Sequence, residues 1–133
     1  MDLVDRNRCI HVLPAVFWAG TTFVLARAGG TGAERLAHPQ LGAAALATVS
    51  GAILWGLLHR GAFGRPEQVL AGGAACALTA IGLQASALTS VRRQKGASDA
   101  DAAGPRRRIA MSQRFATGLL IVAIAAMTSA RYV

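Results

Sequence analysis

The sequence predicts an all-α fold, a single four-helix transmembrane bundle that takes in residues 1–133. Hydrophobic residues make up 53% of the chain and its mean hydropathy is +0.42, which is too apolar for an ordinary soluble domain. Four apolar segments of about 18 residues or more follow one another, long enough as helices to cross a hydrocarbon core of about 30 Å. The six acidic residues all lie outside these segments or at their edges, where their charge stays in water.

The four helices are expected over residues 9–27, 41–58, 67–91 and 109–132. The second and third segments contain no charged stripe, and this argues against a soluble helical bundle. Residues 28–40 and 96–105 are rich in Gly, Ala, Asp and Pro, which predicts loops, and we expect the second of these loops to be mobile. Pro66 is suited to open the third helix after a tight connection.

The basic residues are distributed unequally between the two sides of the predicted bundle. The formal net charge is +8, but Lys and Arg lie in short runs between apolar segments, which argues against nucleic acid as a partner. The first and third loops with their helix ends carry nine basic residues, and the other side carries five. Because cytoplasmic loops are enriched in Lys and Arg, we expect a bacterial inner membrane protein with both termini non-cytoplasmic. The basic run at residues 106–108 is expected to contact membrane lipids.

Small residues recur on the second and third helices at the spacing of one helix face. On the second helix they are Thr48, Ala52 and Gly56, and on the third they are Gly73, Ala77, Ala80 and Ala87, with Gln84 among them. Such faces allow close helix packing, so we expect both to point into the bundle. An unpaired amide in an apolar interior is costly, so Gln84 is also expected to point inward.

Two of the three histidines are predicted to lie near one membrane face. His11 begins the first predicted helix and His59 ends the second, and antiparallel neighbours bring those positions to a common depth. Both share helix faces with small residues, which predicts that their imidazoles point inward. Two inward imidazoles at one level could be the axial ligands of a b-type haem, with Trp18 beside the macrocycle. A histidine that simply lies in the head-group region is the alternative.

Copper is the second metal that these residues suit. Cys9 lies two residues before His11, and thiolate and imidazole ligands both suit Cu(I). Cys9, His11 and His59 are therefore a candidate copper site, and spacing alone does not choose between haem and copper. The other cysteine, Cys76, lies inside the third segment, so we expect two free thiols rather than a disulfide.

The segment HVLPAVFWAGTTFVLAR, residues 11–27, resembles the opening helix of the CopD-like and HemJ-type four-helix membrane proteins. Those helices begin with a His, carry a W-x-G or W-x-A-G element one or two turns later, and in the HemJ type end in an Arg. His11, Trp18 with Gly20, and Arg27 match these places. The resemblance implies a haem-associated or copper-associated bundle, with protoporphyrinogen oxidation as the activity of the HemJ type and with Arg27 near a haem propionate.

Three functions from different classes remain open at this point. The first is b-haem binding for electron transfer or porphyrin oxidation, with His11 and His59 as ligands. The second is copper handling by these histidines together with Cys9. The third is a non-catalytic accessory or structural subunit, whose Ala-rich and Gly-rich faces dock onto membrane protein partners or onto a second copy. The sequence contains nothing that resembles a hydrolase triad, a P-loop or a cluster of carboxylates.

Overall fold

The computed structural model describes residues 1–61 and 63–133, and these residues form helices joined by short turns. In chain order the helices are α1 (Leu3–Arg27), α2 (Ala33–Leu58), α3 (Arg65–Ser86), α4 (Leu88–Gln94) and α5 (Asp99–Ser129), with a final 3-10 turn over Ala130–Tyr132. Four stretches are long and apolar enough to cross a membrane, namely α1, α2, α3 continued by α4, and α5 with the final turn. The predicted all-α four-helix fold is confirmed.

The helices are arranged as two packed pairs. α1 packs on α2, α3 packs on α5, and the contact between α1 and α5 joins the pairs. α2 and α3 touch only over a short stretch, so the order around the bundle is α2, α1, α5, α3. A central cluster of buried residues fills the bundle and consists of Trp18, Ala43, Ala44, Ala47, Ala80, Ala116 and Leu120. Alanine at most of these positions lets the helix backbones approach closely.

All four predicted helices begin earlier than the sequence predicts, α3 by only two residues and the other three by a turn or more. α1 begins at Leu3, whose backbone N–H donates a hydrogen bond to the carboxylate of Asp2. α2 begins at Ala33 although its second turn contains Pro39, and α5 begins at Asp99. An end cluster of buried apolar residues stabilises the extension of α2 and consists of Leu25, Ala33, Ala37, Val91 and Ile109. Burial in this cluster outweighs the one backbone hydrogen bond that Pro39 removes from α2.

The predicted loop over residues 96–105 is wrong from Asp99 onward, where the chain is helical. The hydroxyl of Ser98 accepts a hydrogen bond from the backbone N–H of Asp101 at 3.4 Å and donates one to its carboxylate at 2.8 Å. Asp99 and Asp101 lie in the first turn of α5, where negative charge is favoured by the helix dipole. Ala102 is buried in the bundle. Only a short connection, from Lys95 to Ser98, therefore separates α4 from α5.

The predicted helix faces are confirmed for α3 and wrong for α2. The helix predicted over residues 67–91 is interrupted at Ala87, but its inward face is as expected, with Gly73, Ala80, Gln84 and Ala87 buried. On α2, however, Ala52 and Gly56 are exposed. The residues that α2 buries from its second turn onward are Ala37, Gln40, Ala43, Ala44, Ala47 and Ser50. Ala and Gly are spread so evenly over α2 that their spacing does not select the buried face.

Candidate functional site

A network of polar side chains lies inside the bundle where four helices meet. α1 contributes Trp18 and Thr22, and α2, α3 and α5 contribute one glutamine each, Gln40, Gln84 and Gln113. All five residues are buried, with relative exposures of 4% or less. We call this set the glutamine network. The predicted inward orientation of Gln84 is confirmed.

Gln84 connects α3 to two other helices. Its Oε1 accepts a hydrogen bond from the indole Nε1–H of Trp18 at 2.7 Å. Its Nε2 donates to Thr22 Oγ1 at 2.9 Å and to Gln113 Oε1 at 3.1 Å. The carbonyl and both N–H groups of this amide therefore have partners on neighbouring helices.

Gln40 and Gln113 are joined to each other in both directions. The Nε2 of Gln40 donates to Gln113 Oε1 at 3.1 Å, and the Nε2 of Gln113 donates to Gln40 Oε1 at 3.2 Å. Gln40 Nε2 also donates to Thr22 Oγ1 at 2.9 Å. The Thr22 hydroxyl donates in turn to the backbone carbonyl of Trp18 at 2.7 Å, so its oxygen accepts from two glutamines at once.

The chemistry of its groups gives the glutamine network a structural role. Amide, indole and hydroxyl groups remain uncharged at physiological pH, so the network offers no general acid or base. An unpaired amide in an apolar interior is costly, whereas a completed network fixes one arrangement of the groups that form it. The network therefore specifies how α1, α2, α3 and α5 are placed relative to one another.

His11 is held against α2 by a backbone carbonyl. Its Nδ1 lies 2.8 Å from the carbonyl oxygen of Ala47 and 3.2 Å from the hydroxyl oxygen of Ser50. Because a carbonyl only accepts, Nδ1 is the donor in this contact, and Nε2 is the nitrogen left to accept a hydrogen bond or bind a metal when the ring is neutral. Gly51 makes room for the ring, since a Cβ at that position would lie 3.0 Å from His11 Cε1. The side chain of Asn7 donates to the Ser50 carbonyl at 3.1 Å and completes this contact.

His59 lies at the junction between α2 and α3. It is the C-cap of α2, and its ring lies 5.0 Å from that of Trp55, centroid to centroid. Its Nε2 is 3.6 Å from Glu67 Oε1 on α3, and the other carboxylate oxygen of Glu67 accepts the backbone N–H of Gly64 at 2.7 Å. His59 Nδ1 is buried and has no hydrogen-bond partner among the described residues. The contacts of His59 therefore tie the end of α2 to the start of α3.

The structure does not bring His11 and His59 together, so the predicted common depth is wrong. The imidazole of His11 packs against Gly51, and His59 follows this glycine by about 12 Å along the axis of α2. Metal–nitrogen bonds of about 2 Å would place two axial nitrogens about 4 Å apart. The discrepancy arises because α1 begins at Leu3, which places His11 in its third turn rather than at its start. The two residues do not fit one haem.

The other predicted ligands lie apart as well. Cys9 is exposed, and its position two residues before His11 places it about 200° around α1 from that imidazole. Within the part of the chain that the structure describes, no group of three or more His, Cys, Asp or Glu side chains could hold a metal ion. Trp18 belongs to the glutamine network, and Arg27 lies about 24 Å from His11 along the axis of α1. Arg27 therefore cannot reach a propionate of a haem bound at His11.

Sequence reasoning missed two of the three network glutamines. Gln40 falls in the stretch predicted as a loop, and Gln113 lies beside Ser112 and Arg114 in a segment that reads as a polar helix end. The signal that could have identified them is shared with Gln84. The last three spans all carry glutamine, and Gln40, Gln84 and Gln113 lie toward the end of the bundle formed by the first and third connections.

Comparisons of this chain with protein-family models, with curated proteins and with solved structures find no match.

Proposed function

We propose that this chain is a non-catalytic structural subunit of a larger membrane protein complex. The observation that carries the proposal is the glutamine network, which joins side chains from α1, α2, α3 and α5 in one hydrogen-bonded set. An interior that pairs its own polar groups and is otherwise packed with alanine is suited to hold a fixed shape. A subunit that docks onto neighbouring proteins needs such a rigid surface.

The outer faces of α2 and α3 support docking onto other membrane helices. Both expose small residues, mostly at three-residue or four-residue spacing, and these are Gly42, Ala45, Ala52 and Gly56 on α2 and Gly72, Ala75, Thr79 and Gly82 on α3. A Cβ built at any of the four glycines would meet no other atom within 4 Å, so the space outside them is open. Small residues are enriched where membrane helices pack closely on one another.

Affinity purification of the tagged chain from its native membrane in a mild detergent tests the subunit proposal. We expect the wild-type chain to retain another membrane protein in a fixed stoichiometric ratio. Gly56→Leu and Gly72→Leu place bulk on the two open faces, and we expect them to lose that partner while the isolated chain keeps its thermal stability. Leu46→Ile changes an exposed side chain of α2 without filling a small-residue position, and it is expected to retain the partner.

Two results would contradict the subunit proposal. One is a wild-type chain that leaves the membrane without any stoichiometric partner. The other is a partner that stays bound to Gly56→Leu and Gly72→Leu as firmly as to the wild-type chain, since docking through these faces requires close approach.

Haem binding through His11 is a second candidate function, and the hydrogen bond between Nδ1 and the Ala47 carbonyl favours it. Metal-bound histidines almost always donate their second ring N–H to a carbonyl, a carboxylate or water, which orients the ring and leaves the other nitrogen for the metal. A bound haem would supply electron transfer. The second axial ligand would come from a group other than His59.

Reduced-minus-oxidised absorption spectra of matched membranes test the haem candidate. A haem signal that is present in the wild type, lost in His11→Ala and kept in His38→Ala would support it, because His38 is exposed on α2. Spectra without a haem signal in the wild type would contradict it. Copper that co-purifies with the wild type and is lost in Cys9→Ser would favour copper handling instead.

We further propose that the bundle lies in a bacterial inner membrane with both termini on the non-cytoplasmic side. The support is the excess of basic residues at the end of the bundle that contains the first and third connections. Arginine and lysine are retained on the cytoplasmic side during insertion, so this end is assigned to the cytoplasm.

A further inference from the structure

Two arginines line one groove on the outer surface of α1 and α5. The groove has a volume of about 390 Å³ and is lined by Phe23, Ala26, Arg27, Arg114 and Thr117. A second groove of about 340 Å³ shares one of these arginines and is lined by Met111, Arg114 and Phe115. Both volumes lie near the lower end of the range of about 300 to 1,000 Å³ that small-molecule sites occupy.

The first groove is cationic. Neither Arg27 nor Arg114 forms an ion pair with an acidic side chain among the described residues. Two of the three acidic side chains at this end of the bundle have other partners, since Asp99 lies 3.9 Å from Arg106 and Asp101 accepts a hydrogen bond from Ser98. The third, Glu34, forms no ion pair with either arginine among the described residues. Two like charges beside apolar walls, where the effective dielectric is lower than in water, favour an anion between them.

The groove lies at the level where the apolar part of the bundle begins. Arg27 is the last residue of α1, and the 18 residues before it, from Cys9 to Ala26, carry no Asp, Glu, Lys or Arg. Arg114 precedes a run of α5 without those residues that extends from Phe115 to the end of the helix. Both guanidinium groups therefore lie near the boundary between hydrocarbon and lipid head groups.

We propose that this groove binds one anionic phospholipid. The phosphate lies between the guanidinium groups of Arg27 and Arg114, whose planar N–H forks match the geometry of phosphate oxygens. The acyl chains lie along the apolar walls of the two grooves, on the side chains of Phe23 and Phe115. A free phosphate ion lacks this apolar contribution, so the whole lipid is the ligand that the groove selects.

Native mass spectrometry of the delipidated protein in detergent, titrated with dioleoyl phosphatidylglycerol, tests the proposal. We expect R27A/R114A to bind the first lipid about tenfold more weakly than the wild type, since each arginine near a membrane surface contributes to anionic-lipid binding. R60A/R65A removes two exposed arginines around the connection between α2 and α3, which do not line either groove, and is expected to stay within about twofold of the wild type. R27K/R114K keeps both charges but loses the planar forks, and intermediate affinity is expected.

A zwitterionic lipid and free phosphate provide two further tests of the proposal. We expect dioleoyl phosphatidylcholine to bind more weakly than phosphatidylglycerol, and inorganic phosphate to displace little of the bound lipid. Equal affinity for the two lipids, or an equal loss of affinity in R60A/R65A, would overturn the proposal. Unchanged binding by R27A/R114A would do so as well. Both arginines are exposed, so the variants are expected to fold, and circular dichroism checks this.

Discussion

Gln113 is the glutamine of the network that bonds to both of the other two. Its amide takes part in three interhelical hydrogen bonds, accepting from Gln40 and Gln84 and donating back to Gln40. A leucine at this position has a similar volume and leaves no large cavity. It does leave an N–H of each of the other two glutamines without an acceptor in an apolar interior, and unpaired buried groups cost more than the net gain of a hydrogen bond.

We therefore expect Gln113→Leu to lower the free energy of unfolding by about 1 to 3 kcal/mol. Unfolding of the purified protein by sodium dodecyl sulfate in mixed micelles measures this change. Gln68→Leu is the matched control, because Gln68 is an exposed glutamine of α3 outside the glutamine network. Equal stability of Gln113→Leu and the wild type would mean that the network does not fix the bundle.

The sequence predicts the buried position of some residues in the site but not of others. Gln84 is predictable because it is the one amide in the interior of an otherwise apolar helix, where lipid exposure would be costly. Gln40 is not, because Pro39 beside it marks a loop by local preference, and burial in the end cluster reverses that preference. The pairing of His11 with Ala47 depends on where α1 begins, which hydropathy does not define.

At the scale of helices, the contact between α3 and α5 depends on a glycine. A Cβ at Gly73 would lie 3.0 Å from Ala126 Cβ and 3.2 Å from the Ala123 carbonyl oxygen, closer than side chains normally approach. A Cβ at the adjacent Gly72 would meet no other atom within 4 Å. Gly73 therefore faces α5, whereas Gly72 faces the outside of the bundle.

We expect Gly73→Val to lower the free energy of unfolding by about 1 to 3 kcal/mol, because valine forces α3 away from α5. Gly72→Val is expected to change it by less than about 0.5 kcal/mol, since valine there has space and is a better helix former than glycine. The same unfolding assay in mixed micelles compares the two variants. A greater loss in Gly72→Val than in Gly73→Val would show that α3 is rotated relative to the structure described here.

The presence of the helices is predictable from sequence, whereas their ends are not. Runs of apolar residues without Asp, Glu, Lys or Arg identify each span, because burying such a charge in lipid is costly. The first two turns of α2 and α5 contain Pro39 and Pro105, which local preferences assign to loops. Tertiary contacts make these turns helical, since Ala33 and Ala102 are buried against other helices.

The connection between α4 and α5 is the part of this region most accessible to a protease. Lys95 is exposed and follows the last residue of α4 as its C-cap, and the next residue, Gly96, has a left-handed backbone with φ of 86°. The arginines at 106–108 are hydrogen-bonded within α5. We expect limited trypsin digestion in detergent to cleave first after Lys95, giving fragments 1–95 and 96–133 by mass spectrometry. First cleavage at 106–108 would mean that the early turns of α5 unfold readily.

The molecule as a whole separates charge along the bundle axis. The end that contains the first and third connections carries nine basic and three acidic residues, and the opposite end carries five basic and three acidic residues. The net charges are therefore +6 and +2, which together account for the formal charge of +8. Acidic residues divide equally between the ends, so the asymmetry is entirely one of Lys and Arg, the residues that govern orientation.

This asymmetry leads us to expect that a reporter fluorescing only in the cytoplasm stays dark when it is fused after Val133. The same reporter inserted after Ala97, in the connection between α4 and α5, is expected to be bright. Replacing Arg92, Arg93 and Lys95 by Gln reduces the excess of basic residues from nine against five to six against five, and we expect mixed orientations in that variant. A bright fusion after Val133 in the wild type would reverse the proposed orientation, and it would place the groove of Arg27 and Arg114 in the outer leaflet.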